Sequence, residues 1–117
     1  MMFYLGTKRE KFVFKFFPQS QVDSMFKQLN EKAFCQFPVR LDGEDYIIKI
    51  CNVIHFNNYN QYKFMFIHDS DVLEFHSTSL IHILERFLID VCEFEPDYPV
   101  EKNESEWKYY KKRSRIY

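Results

Sequence analysis

Between Glu44 and His76 apolar side chains recur on both faces of an extended chain, and from Ser79 to Cys92 they switch to helical spacing. Over Glu44–Phe56, Tyr46, Ile48, Ile50, Ile54 and Phe56 share one face. Ile47, Cys51 and Val53 lie on the other, with Lys49 and His55. Apolar groups on both faces predict a central strand, covered at least partly on each side. Gln61–Ile67 reads as a second strand, after the polar turn Asn57-Asn58-Tyr59-Asn60. The turn His68-Asp69-Ser70-Asp71 uses residues that bond to their own backbone. Asp71–His76 then gives a short third strand, expected near a sheet edge where Glu74 keeps its charge in water. Ser77-Thr78-Ser79 offers helix caps. Leu80, Ile83, Leu84, Phe87, Leu88 and Val91 form a stripe that Ile81, Ile89 and Cys92 widen, leaving His82, Glu85, Arg86, Asp90 and Glu93 for solvent.

The N-terminal half is read against this unit. Lys11–Phe17 (KFVFKFF) alternates, with Phe12, Phe14 and Phe16 on one face, and predicts a strand that Pro18 ends. Met2–Leu5 extends it or forms a short strand of its own, with Gly6-Thr7 at the turn. Ser20–Ala33 predicts a helix capped by Ser20, with Val22, Met25, Phe26, Leu29 and Ala33 as its apolar stripe. Phe37–Leu41 and Glu44–Ile50 flank Asp42-Gly43, which suits a type I′ hairpin because both central residues need positive φ.

The expected fold is α+β: a mostly antiparallel sheet of about five strands in β-α-β-β-β-β-α order, with two packed helices. Residues 1–95 form one domain, followed by a polar and then basic-aromatic tail over 96–117. The helices lie one on each face, or both on one face with the other face used in an oligomer.

Composition changes this picture little. In 117 residues, 20% are aromatic and 14 are Phe, which suits a core built on rings. Only two Gly and four Pro oppose a low-complexity chain. Cys35, Cys51 and Cys92 form no CxxC pair, and their odd number points to a reducing, cytoplasmic setting. Cys35, between a helix and Pro38, is the thiol expected to be exposed. No apolar run spans a membrane, and the lysines interleaved through Met1–Phe17 do not fit a signal peptide.

Charge is segregated beneath a net of −1. Residues 1–67 hold nine cations and six acids, 68–106 two cations and eleven acids, and 107–117 five cations and no acid. The acidic zone is either a solvated helix face or a docking surface for a basic partner. The basic tail either folds back on that zone or contacts phosphates through its cations, with Trp107, Tyr109, Tyr110 and Tyr117 stacking on bases.

Catalytic patterns are missing. There is no Gly-rich phosphate loop. His68, His76 and His82 lack the paired spacing of a zinc site. Cys51 and Cys92 sit in apolar patterns that keep a thiol protonated. Glu44 and Lys49 are five apart and so on opposite faces of a strand, unlike the acid and lysine of a metal-dependent nuclease. No cofactor or metal is expected, and no catalytic residue.

The expectation is a non-catalytic protein-binding module that neutralises or regulates a basic partner, such as a nuclease or other nucleic-acid-binding protein. Bacterial immunity proteins and phage-encoded inhibitors of host defence share this size, charge and lack of motifs. The expected contacts are Asp69, Asp71, Glu74, Glu85, Asp90, Glu93, Glu95, Asp97 and Tyr98. The alternative is a nucleic-acid-binding accessory protein using Lys11, Lys15, Lys49, Lys63 and the tail cations. A homodimer is compatible with either.

Overall fold

The computed structural model describes residues 7–54, 60–100 and 106–111, and the side chains of all of these except Ile54 and Asn60. The expected strand at Met2–Leu5, the end of the long strand at Phe56, the turn residues 57–59 and tail residues 101–105 and 112–117 lie outside the described residues.

The chain begins with helix α1 (Lys8–Phe16) and helix α2 (Gln19–Lys32). Strands β1 (Phe34–Leu41), β2 (Glu44–Ile54), β3 (Asn60–His68) and β4 (Asp71–Ser77) follow as an antiparallel meander. Helix α3 (Leu80–Arg86) runs on into a π-helical turn at Phe87–Val91, and β5 (Lys108–Lys111) pairs antiparallel with β4. The architecture is α+β, with a five-stranded sheet in the order β1-β2-β3-β4-β5.

The strand expected at Lys11–Phe17 is instead α1. Thr7 Oγ1 accepts from the Glu10 amide at 3.1 Å, and the Thr7 amide donates to Glu10 Oε1 at 2.9 Å. This capping box satisfies two of the amides that a helix start leaves open. The apolar spacing of KFVFKFF fits both periods, and packing selects the helical one. Phe12 and Val13 are buried, and Phe12 meets Phe16 one turn on, rings edge to face at 5.7 Å. Pro18, rather than Ser20, stands at the start of α2, where its missing N–H costs nothing. Val22, Met25 and Leu29 bury one face of α2, and Ala33 ends it in a left-handed conformation at φ 67°.

The Asp42-Gly43 hairpin forms as expected, with φ 52° and 79° and Leu41 paired to Glu44. In register, Cys35, Ile50, Phe64 and Phe75 line up across four strands, with Phe37, Ile48, Phe66 and Leu73 in the next row. This face holds the core. Phe87 packs its ring on Phe64 and Phe66 at 5.2 and 5.1 Å, and Phe26 of α2 meets Tyr62 edge to face. The described helices therefore lie on one face, which is the placement of helices in the second of the two layer arrangements expected.

Three further expectations change. The third strand is not at an edge, because β5 covers it, and Glu74 is only 14% exposed, bonded to His76 and Tyr110. Glu85 and Arg86 do not face solvent: α3 is sandwiched between the sheet and α1, and both are buried. Cys35 is the most enclosed of the three thiols because it points from β1 into the core. Among the described residues no helix is long and apolar enough to cross a membrane.

Candidate functional site

Two carboxylates form the inner scaffold of the acidic zone. Glu85 takes a salt bridge from Arg9 Nε at 3.0 Å and a hydrogen bond from the Tyr98 hydroxyl at 2.6 Å. Burial and that bond push the Tyr98 phenol well above its usual range. The Asp90 carboxylate, 2% exposed, is gripped by Arg86 through Nε at 3.0 Å and Nη2 at 2.7 Å. Asp90 also accepts from Trp107 Nε1 at 2.9 Å. These bonds tie α1 and the segments after α3 onto it, so Glu85 and Asp90 hold the fold rather than display charge.

Glu74 is likewise committed. Burial opposes its charge, but bonds from His76 and Tyr110 and the Lys63 charge outweigh it and hold the carboxyl below its ordinary range. Of the nine residues expected to form a docking face, Asp69, Glu93, Glu95 and Asp97 are exposed, Asp71 is half-exposed and Tyr98 half-buried. They separate into two groups. Asp69 and Asp71 flank the β3–β4 turn, and Glu93, Glu95 and Asp97 follow α3.

A meander places alternate turns at the same end of its sheet, so the β1–β2 and β3–β4 turns lie together. Asp42, Glu44 and Asp45 come from one turn, and His68, Asp69 and Asp71 from the other. Between this end of the sheet and the π-helical turn lies a cleft of about 380 Å³, lined among others by Asp42, Asp71, Tyr46, Phe66, His68 and Tyr109. A second space of about 440 Å³ shares Leu73, Val91 and Tyr109 with it and reaches Trp107 and Asp90.

The rings in the cleft are organised by their neighbours. Tyr46 stacks on Phe66 at 4.3 Å and lies 4.9 Å from the His68 ring. Its hydroxyl donates to Glu44 Oε2 at 3.3 Å. The Tyr109 hydroxyl donates to Asp71 Oδ1 at 2.7 Å, and Lys111 Nζ is 4.0 Å from the same oxygen. Both phenols are pushed up, Tyr46 by burial and then by Glu44, Tyr109 by its bond to Asp71 and then by burial. Each stays a neutral donor. His68 Nε2 sits 3.7 Å from Glu44 Oε1.

Carboxylates beside ring faces attract a cation. The charge supplies hydrogen-bond acceptors, and each accessible ring face adds a quadrupole term. Asp42, Glu44, Tyr46 and Tyr109 were not expected in the acidic surface. The signal for Asp42 was available, since antiparallel meander topology alone brings two acidic turns to one end.

The residues of the alternative reading are dispersed. Lys49 and Lys63 lie on the sheet face away from the helices, Lys11 and Lys15 are on α1, and Lys111 is beside Asp71. Among the described residues no group of three or more His, Cys, Asp or Glu is arranged to hold a metal ion. Burial pushes the Cys35 and Cys92 thiols up to about 11. No protein-family model matches the chain, and neither a curated protein nor a solved structure matches it.

Proposed function

We propose that this protein is a small non-catalytic binding module that neutralises or regulates a basic protein partner, taking Lys or Arg side chains into the cleft at the turn end of the sheet. The observation that carries the reading is the convergence of Asp42, Asp71, Tyr46 and Tyr109 on one space of about 380 Å³. A guanidinium or ammonium there meets acceptors and ring faces together, and each such ring contact contributes about 0.5–2 kcal/mol. Asp69, together with Glu93, Glu95 and Asp97 beyond α3, adds exposed charge that speeds encounter with a basic surface. The role is immunity-protein-like or phage-inhibitor-like: occupation of a nuclease or another nucleic-acid-binding protein through its basic groove. Three free thiols suit a cytoplasmic, reducing setting.

The test is a titration of the isotope-labelled full chain with an arginine-rich peptide at low salt, followed by NMR. The expected result is shifts at Asp42, Tyr46, Asp71 and Tyr109 that salt reverses, with affinity reduced at least about tenfold in the double variant Asp42→Asn/Asp71→Asn. Unchanged affinity in that variant would overturn the reading. So would low-salt capture from the source cells that yields nucleic acid alone.

A further inference from the structure

The second face of the sheet carries an ordered pattern that the proposed cleft does not use. Register places Pro38, Ile47, Ile67, Val72 and Tyr110 side by side across all five strands. The row is apolar from edge to edge. Ile47, second in the row, and Tyr110 at its end are each 39% exposed, Pro38 is exposed and Ile67 half-buried, while Val72 is already covered at 2%. No described helix lies over it, because the helices pack on the opposite face. Its open part, Pro38 and Ile47 with half-buried Ile67 beside them, is apolar surface that a partner could cover.

Charge beside the band says what covers it. On β2, Asp45 and Lys49 point from the same face as Ile47, one on each side of it. A two-fold axis running across the strands along the apolar row reverses strand direction between two stacked sheets. Ile47 then meets Ile47 of the second copy, Asp45 meets Lys49, and Lys49 meets Asp45. A face that is self-complementary in this way is what an isologous dimer requires. Asp45 is reachable, since its only described ion pair is a 3.8 Å contact to Arg40, itself exposed, while Lys49 is half-buried with its Nζ 5.3 Å from the centre of the Phe34 ring.

We propose that this protein forms a two-fold symmetric homodimer through the Ile47 face of its sheet, with Asp45 and Lys49 paired across the axis. The two sheets stack about 10 Å apart, a distance that Asp and Lys side chains bridge. The dimer leaves both acidic clefts open, on the far side of each sheet.

The experiment is sedimentation of the full chain over a concentration series, with four variants. Ile47→Lys is expected to sediment as a monomer. Asp45→Lys and Lys49→Asp each set like charges against each other and are expected to raise the dimer dissociation constant at least about tenfold. Mixing those two variants restores opposite charges at both contacts and is expected to yield a heterodimer. The double variant Asp45→Lys/Lys49→Asp is expected to dimerise again, which a folding defect could not do. A wild-type chain that stays monomeric to about 100 μM, a concentration far above what a standard-sized interface needs, would overturn the proposal. A dimer indifferent to these substitutions would overturn it too, as would association seen only with added single-stranded nucleic acid.

Discussion

Asp90 is the carboxylate on which α3 and the segment entering β5 meet. It accepts two bonds from Arg86 and one from Trp107, whose ring packs against Phe75 at 5.1 Å and Phe64 at 5.8 Å. Removing one partner of a buried pair leaves the other charge poorly compensated. Asp90→Ala is therefore expected to cost about 3 kcal/mol in urea unfolding, more than an exposed acid such as Glu95. His82 makes a second prediction at this scale. Its Nδ1 is 3.2 Å from Ser77 Oγ and its ring edge meets Phe75. Burial, and then the Arg9 charge, with Arg86 adding, hold its pKa below the usual 6.5 against the opposing pull of Glu85 and Glu106. Above 6.5 the ring is neutral in both folded and unfolded chains. Below it the unfolded chain binds the proton first, so stability is lost as pH falls from 6.5 through the folded pKa. Thermal midpoints measured from pH 7.5 to 5 should fall for the wild type and flatten over that range in His82→Gln.

The elements show which local signals survive packing. The capping box of α1 and the Ser79 cap of α3, whose hydroxyl accepts from the His82 amide at 3.2 Å, are both written in the chain. At the other end of α2 a local rule is broken. Ala33 sits at φ 67°, where a Cβ is unfavourable, and its carbonyl accepts from the Asn52 amide at 2.8 Å. Ala33→Gly relieves the left-handed conformation at the usual glycine position after a helix. It is expected to stabilise the protein by about 0.5–1 kcal/mol, read as a raised urea midpoint, the added freedom of the unfolded chain offsetting part of the gain. The end of the third helix is less regular. The Cys92 amide reaches the Phe87 carbonyl and the Phe94 amide the Leu88 carbonyl, with Glu93 at φ 60°. That widened turn delivers Phe94 onto Phe16, ring on ring at 4.4 Å.

At the scale of the whole molecule the sheet divides two surfaces with different chemistry. One is the core side, with the acidic cleft at its end. The other is the Ile47 face, which also carries Cys51. The thiols report this division. Cys35 is 2% exposed and pushed up to about 11, and burial raises Cys92 to the same value. Cys51 is half-buried on the outer face, one row from Lys49. Under limiting iodoacetamide followed by mass spectrometry, Cys51 should be alkylated first and Cys35 last. Protection of Cys51 at high protein concentration would accompany the proposed dimer.

Much of the fold was legible in the chain. The meander and the hairpin follow from period-two patterning and from an Asp-Gly pair suited to positive φ, and the third helix from its stripe and serine cap. These are local determinants, acting within one or two turns of backbone. The T-x-x-E signature at Thr7 and Glu10 was local too, but an alternating run of Phe and Lys masked it, since that run fits both periods. Tertiary structure decided the rest. Local pattern sets which side chains share a face, and burial depends on elements distant in sequence. Arg9 arrives from 76 residues upstream of Glu85, and Trp107 arrives 17 residues after Asp90. Those partners turned two acids that looked solvated into internal struts, and pairing with β5 took Glu74 off the edge. The same long-range assembly brought Asp42 and Asp71 to one cleft, which neither turn defines by itself.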